Sequence, residues 1–368
     1  MRKLMALALA SAATVSAAGL PAAARELRIS NWQPPRSIEA RMQESFAKDL
    51  ATATAGKLTA RVFAGGALLG AGATLSGIRD GVVDGGFIVP TIYATALRHA
   101  VVVQNLLPYS INPYAAAAAA IETTVIDCPE CQADYGRQNA VYTGGHAGSA
   151  WNLMCTHQVN TLSDLKGKKV RVTGRSATRL VGALGMVAVN LTPAELAPAL
   201  QGGQIDCATG YKAWMIDYSL LDTVKTVVDF SLGSYAGLGL VTMNKRSFDS
   251  LAPEHRKAFI DLHPEYVTRG IDLYLQQDEQ AVKRGKARGI RFVNASPDIV
   301  AAVEKYRASD IPNIVGDLKS QGVKDAEQLV QRHLAMIEKW SKLVKDAGGD
   351  RNAYLRLLQQ EIYAKAKF

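Results

Sequence analysis

Apolar and polar residues alternate in several short stretches of the first half of the chain, and longer helical repeats separate these stretches. Residues 26–30 alternate and predict a strand, and Ser37 is a typical N-cap for a helix over 38–53. Residues 57–63 and 82–89 predict two further strands, with a short helix between them. Strands that alternate with helices favour an α/β fold in which crossover helices join parallel strands.

A second unit with the same alternation begins near Ser149. The pattern predicts strands over 150–156, 187–191 and 204–208, a strand that ends at Val172, and helices over 175–184 and 193–200. Both halves of the chain are therefore predicted to be α/β. Two similar open sheets without a catalytic signature favour a two-lobed binding protein with a cleft between the lobes.

The last part of the chain is predicted to be mainly helical. Residues 253–289 predict one long helix, in which Pro264 predicts a kink. A late strand is predicted over 289–293, and helices fill most of 296–367. The sequence has no internal repeat and no long low-complexity linker, so the pattern predicts two units rather than a repeat array.

The first 24 residues have the pattern of an export signal. Arg2 and Lys3 precede the uncharged run 4–18, and small residues lead to Ala24 before Arg25. A basic start, a short apolar run and a small-residue cleavage site are typical of a secretory signal peptide, so we predict cleavage after Ala24. A retained membrane anchor is the alternative, although the run is short for a spanning helix.

Composition narrows the possible classes of protein. The chain has 368 residues, of which 48% are hydrophobic and 20% charged, which fits a globular protein of two domains. The mean hydropathy of +0.01 excludes a multispan membrane protein. The formal net charge is +9, and removing residues 1–24, which hold two cations and no acid, leaves +7. Because no basic stripe is interleaved with aromatic residues, nucleic-acid binding is not predicted.

Four cysteines follow the export signal, which would place them in an oxidising compartment. Cys128 and Cys131 form a CxxC motif that is predicted to lie in the turn after an alanine-rich helix. A redox motif would instead follow a strand, at the start of a helix. We therefore predict a structural disulfide between these two, and a second between Cys155 and Cys207 if their strands adjoin. A catalytic dithiol is the alternative, and the sequence leaves three connectivities open.

No motif in the chain predicts catalysis. The six histidines lack metal-ligand spacing, and the chain has neither a GxSxG elbow nor a Walker loop. Neighbouring acids such as Asp127 and Glu130 suit a solvated turn. We therefore predict a binding protein rather than an enzyme, with no cofactor and no metal site.

One cation is placed for ligand recognition. Arg171 lies within an alternating strand between β-branched neighbours, so its side chain faces either solvent or a cleft that holds an anion. A guanidinium can donate two parallel hydrogen bonds to a carboxylate, while an exposed arginine or a structural ion pair is the alternative. Four aromatic residues lie at or near strand ends, where open α/β sheets bind ligands, although aromatic residues most often fill a core. They are Trp32, Trp151, Tyr211 and Trp214.

Several motifs together resemble the TRAP-transporter solute-binding proteins of the DctP family. They are residues 65–68, 77–85, 164–172, 193–195 and 199–206. The resemblance covers residues 27–251 clearly and the helical C-terminal part more loosely. It implies a two-lobed periplasmic binding-protein fold with open, mostly parallel sheets, crossing strands and a long helix that spans both lobes.

The resemblance also implies domain boundaries and a partner. Lobe I is expected to comprise residues 25–148 and 236–276, and lobe II residues 149–235 and 277–368. The closed protein would deliver its solute from the periplasm to the membrane permease of a TRAP transporter. An ABC-type binding protein and a periplasmic thiol oxidoreductase are the alternatives.

The family's ligand contacts can be transferred only in part. The arginine that matches Arg171 pairs with the ligand carboxylate, so Arg171 is the implied anchor of a small organic acid. When lobe I closes, Trp32, Thr91 and Tyr235 are expected to add contacts.

The chain departs from the family pattern at two ligand positions. An auxiliary arginine of some members would fall at Trp151, and the frequent asparagine contact is missing from residues 206–210. These departures, together with the rings of Trp151, Tyr211 and Trp214, predict a monocarboxylate with an apolar or aromatic body. A C4-dicarboxylate is the alternative ligand.

Overall fold

The structure, a computed structural model, describes residues 24–368 and forms two six-stranded sheets with surrounding helices. The predicted export signal therefore lies outside the described residues, apart from its last residue. Within the described range, no helix is both long and apolar enough to cross a bilayer.

Eight of the twelve strands in the described residues fall close to the predicted stretches, whereas the strands over 140–141, 145–146, 226–229 and 238–244 were not predicted. The bounds of the twelve are β1 Arg25–Ser30, β2 Leu58–Phe63, β3 Gly85–Ile88, β4 Ala140–Val141, β5 Gly145–His146, β6 Asn152–Cys155, β7 Lys169–Val172, β8 Val187–Asn190, β9 Cys207–Gly210, β10 Thr226–Asp229, β11 Leu238–Asn244 and β12 Arg291–Asn294. The first sheet has the order β2-β1-β3-β11-β4, with β5 beside β11, and the second has the order β12-β10-β6-β9-β7-β8.

Each sheet combines a parallel part with antiparallel strands. In the first sheet β1 is parallel to β2 and β3, whereas β11 runs antiparallel to β3, β4 and β5. In the second, β7 is parallel to β8 and β9, and β6 runs antiparallel to β9 and β10. The antiparallel strands β6 and β11 follow the two points at which the chain passes from one lobe to the other.

Helices cover the sheets. Their bounds are α1 Ile38–Ala53, α2 Thr74–Arg79, α3 Val102–Asn105, α4 Pro113–Glu122, α5 Pro129–Arg137, α6 Arg175–Ala183, α7 Leu196–Gln201, α8 Trp214–Asp217, α9 Lys245–Asp249, α10 Pro253–Asp261, α11 His263–Lys286, α12 Pro297–Ser309, α13 Ile311–Ser320, α14 Ala326–Asp346 and α15 Arg351–Leu358. Ser37 caps α1 as predicted, since its hydroxyl accepts a hydrogen bond from the Ala40 amide at 3.2 Å.

The predicted long helix over 253–289 is two helices. Helix α10 ends at Asp261 and α11 begins at His263, with Pro264 in its first turn. A proline is tolerated there because the first helical amides have no partner within the helix. Pro264 therefore starts a helix instead of kinking one.

The two passages between the lobes lie side by side. The Trp151 amide donates to the Gly233 carbonyl at 2.8 Å, and the Leu232 amide donates to the Trp151 carbonyl at 2.9 Å. Ala150 and Ser234 form an antiparallel bridge between the same two segments. Helix α11 is a further connection, since it packs against α1 and α15 at one end and α8 and β12 at the other. The crossing strands and the lobe-spanning helix that the resemblance implied are thus present.

The C-terminal helices pack on the first sheet's side of the molecule. Helix α14 lies against α4, and its Leu329 and Trp340 share a buried cluster with Ala117 and Ile88. Helix α12 packs on α6 of the second lobe, and Asp317 of α13 forms salt bridges with Arg175 and Arg179 of α6. The apolar side of α13, with Ile314 and Leu318, nevertheless lies in the same buried cluster as α14. We therefore propose that residues 311–368 belong to lobe I rather than to lobe II, where the resemblance placed them.

Both predicted disulfides are present, and both are buried. Cys128 is linked to Cys131, and Cys155 on β6 is linked to Cys207 on the adjoining strand β9. The CxxC motif was expected in a turn, but Cys128 caps α5 and Cys131 lies in its first turn. All four cysteines are fully buried, so a substrate disulfide has no access to the motif and a structural role is favoured.

Candidate ligand-binding site

A cavity of about 280 Å³ lies between the two lobes, at the carboxyl ends of the parallel strands of both sheets. Trp32 follows β1 and Val89 follows β3, while Thr173 follows β7, Leu191 follows β8 and Tyr211 follows β9. Ligands of open α/β folds bind at this edge because the loops there leave backbone and side chains free to converge.

All seven side chains that were predicted to contact the ligand line this one cavity. They are Trp32, Thr91, Trp151, Arg171, Tyr211, Trp214 and Tyr235. The first two come from the first lobe, and the others from the second lobe and the crossing segments. The sequence thus predicted one common site from residues that lie far apart in the chain, while the role of each residue towards a ligand stays a prediction.

Three neighbouring strand ends hold the Arg171 guanidinium in place. Its Nε donates to the Leu191 carbonyl at 2.7 Å, its Nη1 donates to the Thr209 carbonyl at 3.3 Å, and its Nη2 donates to the Thr173 hydroxyl. An arginine has two N–H groups on each Nη atom. One N–H on Nη1 and one on Nη2 therefore remain for a further acceptor, which is the geometry of a bidentate carboxylate pair.

Arg171 is a buried cation. It is 1% exposed, and it forms no salt bridge with any acidic residue of the described chain. Glu195 also lines the cavity, but its carboxylate accepts from the Thr192 amide at 2.7 Å and caps that turn. Burial lowers the pKa of Arg171 to about 10, so the side chain is still protonated at neutral pH. The site therefore has an uncompensated positive charge that an anionic ligand would neutralise.

Aromatic rings surround the guanidinium. Trp151 stacks on Tyr235 with ring centroids 4.8 Å apart, and Tyr211 meets Trp214 edge-on at 5.0 Å. The Arg171 Cζ lies 5.1 Å from the Trp214 ring centroid and 5.9 Å from that of Trp151. Cation–π attraction thus stabilises part of the buried charge, while the ring faces and edges provide an apolar surface for a ligand body.

The first lobe completes the wall. The Trp32 indole packs on Phe87 with ring centroids 5.3 Å apart and donates to the Phe87 carbonyl at 3.2 Å. The hydroxyls of Thr91 and Tyr235 are hydrogen-bonded at 2.6 Å. A Cβ atom at Gly174 would lie 3.2 Å from the Thr91 Cγ2. The lobes therefore touch beside the cavity, and a side chain at position 174 would press against Thr91.

The missing asparagine contact over 206–210 has a structural counterpart. Gly210 ends β9, and a Cβ atom there would lie 2.2 Å from Cε3 of Trp214. The Trp214 indole thus occupies space that a side chain at 210 would need. Positions 210 and 214 are therefore sterically coupled in this chain.

Sequence reasoning missed several residues of the wall. Three of them lie at or next to strand ends, namely Phe87, Asn190 and Thr173. The predicted strands located these ends, but they could not tell which residues there face a ligand and which fill the core. Glu39 lies in the first turn of α1, where an acid is usually explained by the helix dipole. Nothing in the sequence indicated that this carboxyl is buried beside the cavity.

The family comparison matches most of the chain. The model of the bacterial extracellular solute-binding protein family 7, DctP, matches residues 29–314.

Solved structures with the same fold come from several bacteria. A TRAP solute-binding protein from Rhodoferax ferrireducens T118, in complex with copurified benzoate, is 21% identical, with 87% of this chain and 99% of that chain covered and a TM-score of 0.75. A TRAP periplasmic solute-binding protein from Bordetella bronchiseptica, with bound (R)- and (S)-mandelate, is 20% identical, with 86% and 99% covered and a TM-score of 0.72. A Bordetella pertussis extracytoplasmic solute receptor binding pyroglutamic acid is 22% identical, with 84% and 99% covered and a TM-score of 0.70. At these identities the likeness shows the shared two-lobed fold.

Proposed function

The chain belongs to the DctP family of bacterial extracellular solute-binding proteins, and from this premise we propose that it captures a small monocarboxylic acid with an apolar or aromatic body. It would hold the acid in the cleft between its lobes and deliver it from the periplasm to the membrane permease of a TRAP transporter. Family membership confirms the predicted resemblance, and with it the prediction of an exported binding protein rather than an enzyme.

The observation that carries the proposal is the buried, unpaired Arg171. A guanidinium removed from water without an acidic partner destabilises the protein unless an anion approaches it. Its two remaining N–H groups suit the two oxygens of one carboxylate. The Nε1 atom of Trp214 is also buried without a hydrogen-bond partner, so the wall offers a neutral donor as well.

The rest of the wall favours one carboxylate rather than two. Among the residues that the structure describes, Arg171 is the only cation that lines the cavity. A second carboxylate would therefore lie against aromatic and aliphatic side chains without a counter-charge. The volume of about 280 Å³ is at the lower end for ligand pockets, which favours a small acid. The three relatives described above hold benzoate, mandelate and pyroglutamic acid, each of which has one carboxylate.

Binding would be coupled to the closing of the lobes. An acid held by Arg171 in the second lobe gains contacts with Trp32 and Thr91 only when the first lobe lies against it. Because the ligand contacts both lobes only in the closed form, it shifts the protein towards that form. The closed surface would then be the one that the permease recognises.

Titration calorimetry with benzoate, phenylacetate, pyroglutamate and succinate tests the ligand class and the anchor together. We expect at least one of the monocarboxylates to bind and succinate to bind far more weakly. Arg171→Ala should weaken binding by about 2–5 kcal/mol, because the ligand carboxylate would be left buried and unpaired. Arg171→Lys should restore little, since an ammonium cannot donate the parallel pair.

A matched control is Arg61→Ala, which removes an exposed arginine from strand β2 and should leave the affinity unchanged. Tight succinate binding without monocarboxylate binding would refute the ligand class. Binding by Arg171→Ala within twofold of the wild type would refute the anchor. Delivery to a TRAP permease is tested separately by the neighbouring genes, where an ATPase gene in place of a permease pair would contradict it.

A further inference from the structure

A buried carboxyl group lies in the cavity wall on the side of the first lobe. Glu39 in α1 lines the cavity and is 2% exposed. Its Oε1 accepts a hydrogen bond from the Tyr274 hydroxyl of α11. Its Oε2 is buried and has no hydrogen-bond partner. A buried oxygen without a hydrogen-bond partner destabilises the folded protein. Binding of a ligand carboxylate to Arg171 would not give this oxygen a partner.

The surroundings of Glu39 do not neutralise it. Tyr274 packs against Tyr211 with ring centroids 4.5 Å apart, so the hydroxyl that holds Oε1 is itself fixed by the aromatic wall. Burial raises the pKa of Glu39, and the hydrogen bond from Tyr274, weaker interactions with its own backbone amide and Ser37, and the charge of Arg41 oppose that rise. Arg41, a nearby cation on the same helix, donates to Gln277 rather than to Glu39. Glu39 is thus held in one orientation with one oxygen free.

We propose that Glu39 Oε2 binds a hydroxyl group of the ligand, so that the solute is a hydroxy-substituted aromatic monocarboxylic acid. This inference rests on the proposed function, since it assumes that Arg171 holds the carboxylate of the same molecule. A hydroxyl group both donates and accepts hydrogen bonds, so it satisfies the free oxygen whether that oxygen carries a proton or not. An ionised second carboxylate would instead face a desolvated acid.

Each lobe contributes an ionisable side chain to the cavity wall. Arg171 lies in the second lobe and Glu39 in the first, with rings such as Tyr211 and Trp214 lining the same cavity. An acid that carries a hydroxyl group is therefore recognised by both lobes through polar contacts. The corresponding unsubstituted acid makes the carboxylate and ring contacts but leaves Oε2 unsatisfied.

The test compares hydroxy acids with their parent acids by titration calorimetry. The probes are the 2-, 3- and 4-hydroxybenzoates against benzoate, and 3-hydroxyphenylacetate against phenylacetate. For the wild type, at least one hydroxy acid should bind roughly tenfold more tightly than its parent, which is the usual size of one well-made hydrogen bond. Glu39→Met should remove this preference, so that in this variant a hydroxy acid and its parent bind with affinities within about twofold of each other.

Two further variants test whether the preference for hydroxy acids depends on the Glu39 carboxyl group. Glu39→Gln should keep part of the preference, because an amide can still pair with a hydroxyl group. Glu44→Met, which changes an exposed acid on the same helix, should keep all of it. Binding of the parent acid also reports that each variant is folded.

Three outcomes overturn the inference. Equal affinities of hydroxy and parent acids for the wild type would refute it while leaving the proposed function standing, and so would a preference that survives Glu39→Met. Failure of all these acids to bind would refute both proposals together.

Discussion

At position 210 the lack of a side chain decides where the Trp214 indole lies. A Cβ atom there would meet Cε3 of Trp214 at 2.2 Å, so Gly210→Ala must push the ring towards the cavity or away from Arg171. We expect this variant to weaken the binding of aromatic acids by at least about tenfold, because overpacking of this kind costs about 1–3 kcal/mol. Calorimetry and the fluorescence change of the tryptophans on binding measure the effect.

Gly182→Ala is the matched control for this change. Gly182 lies in α6, and a Cβ atom there would meet nothing within 4 Å. The Gly182→Ala variant should bind aromatic acids with the affinity of the wild type and melt at the same or a slightly higher temperature. Unchanged affinity in Gly210→Ala would show that the Trp214 ring does not shape the ligand space.

At the scale of single residues, the sequence indicated a ligand contact most clearly where a charged residue stands among apolar neighbours. Arg171 between two apolar strand residues could be singled out because a cation in a strand core needs a partner. Glu39 could not, because an acid in the first turn of a helix has an ordinary explanation. Its burial depends on Tyr274, which lies far away in the sequence and packs beside it only in the folded protein.

At the scale of elements, helix α8 of the second lobe meets the segment that leads into α1 of the first. The Asp217 carbonyl accepts from Arg36 Nε at 2.6 Å, and the Asp217 carboxylate accepts from Gln277 of α11 at 2.6 Å. Burial, together with the charge of the nearby Glu39, raises the pKa of Asp217 to about 7. The carboxyl group is thus more easily protonated in the folded chain than in the unfolded one.

This difference predicts a pH dependence of stability. Between about pH 4 and pH 7 the unfolded state releases the Asp217 proton while the folded state retains it, so the free energy of unfolding falls as pH rises. The Asp217→Asn variant has no titratable group at this position, and its amide oxygen can still accept the hydrogen bond from Gln277. The wild type should therefore lose on the order of 2 kcal/mol relative to Asp217→Asn between pH 5 and pH 7, and only a few tenths of a kcal/mol more above pH 7, where the folded state loses its remaining proton.

Urea unfolding of both proteins at several pH values measures this difference. Taking the difference between the two cancels the contributions of buried groups that do not interact with Asp217, such as His263, whose pKa is lowered to about 4 by burial. Parallel curves for the two proteins would contradict the assignment to Asp217.

Predictions of elements from the sequence succeeded where the pattern is local. The N-cap Ser37 and the helix Ile38–Ala53 follow from residues close together in the chain. The helix after Cys128 was missed because Pro129 suits either a turn or a first helical position. The break before Pro264 was predicted as a kink for the same reason, since one proline is compatible with both.

At the scale of the whole molecule, hydrogen bonds between the lobes contribute to the closed arrangement. The Tyr218 hydroxyl of the second lobe donates to the Gln33 side chain of the first at 2.7 Å, and both residues are buried. Tyr218→Phe removes this bond and keeps the ring that packs on Trp214. We expect the apparent dissociation constant for a bound acid to rise by up to about fivefold, because a smaller fraction of the protein is closed.

Small-angle scattering should show a larger radius of gyration for this variant without ligand. Tyr354→Phe is the control, since it removes a hydrogen bond of similar length to the Tyr114 carbonyl within the first lobe. It should change neither the scattering nor the affinity. Identical scattering and affinity for Tyr218→Phe and the wild type would refute a role for this bond in closure.

The overall architecture was predictable only in outline. Alternating strands and helices indicated two α/β lobes, because each βαβ unit folds from neighbouring residues. The side on which the C-terminal helices pack was not predictable, because α14 and α4 are far apart in the chain and each shows only an apolar face. An apolar face predicts that a helix is buried against another part of the protein, but it does not identify the lobe against which the helix packs.

The packing of α14 on α4 also determines when the first lobe can finish folding during synthesis and export. A secreted chain leaves the ribosome and the translocation channel with its N-terminus first, so the alanine-rich helix Pro113–Glu122 emerges long before Ala326–Asp346. Until then, the residues that α14 covers have no permanent partner. The first lobe therefore cannot complete its packing until Ala326–Asp346 has emerged, after the residues of the second lobe.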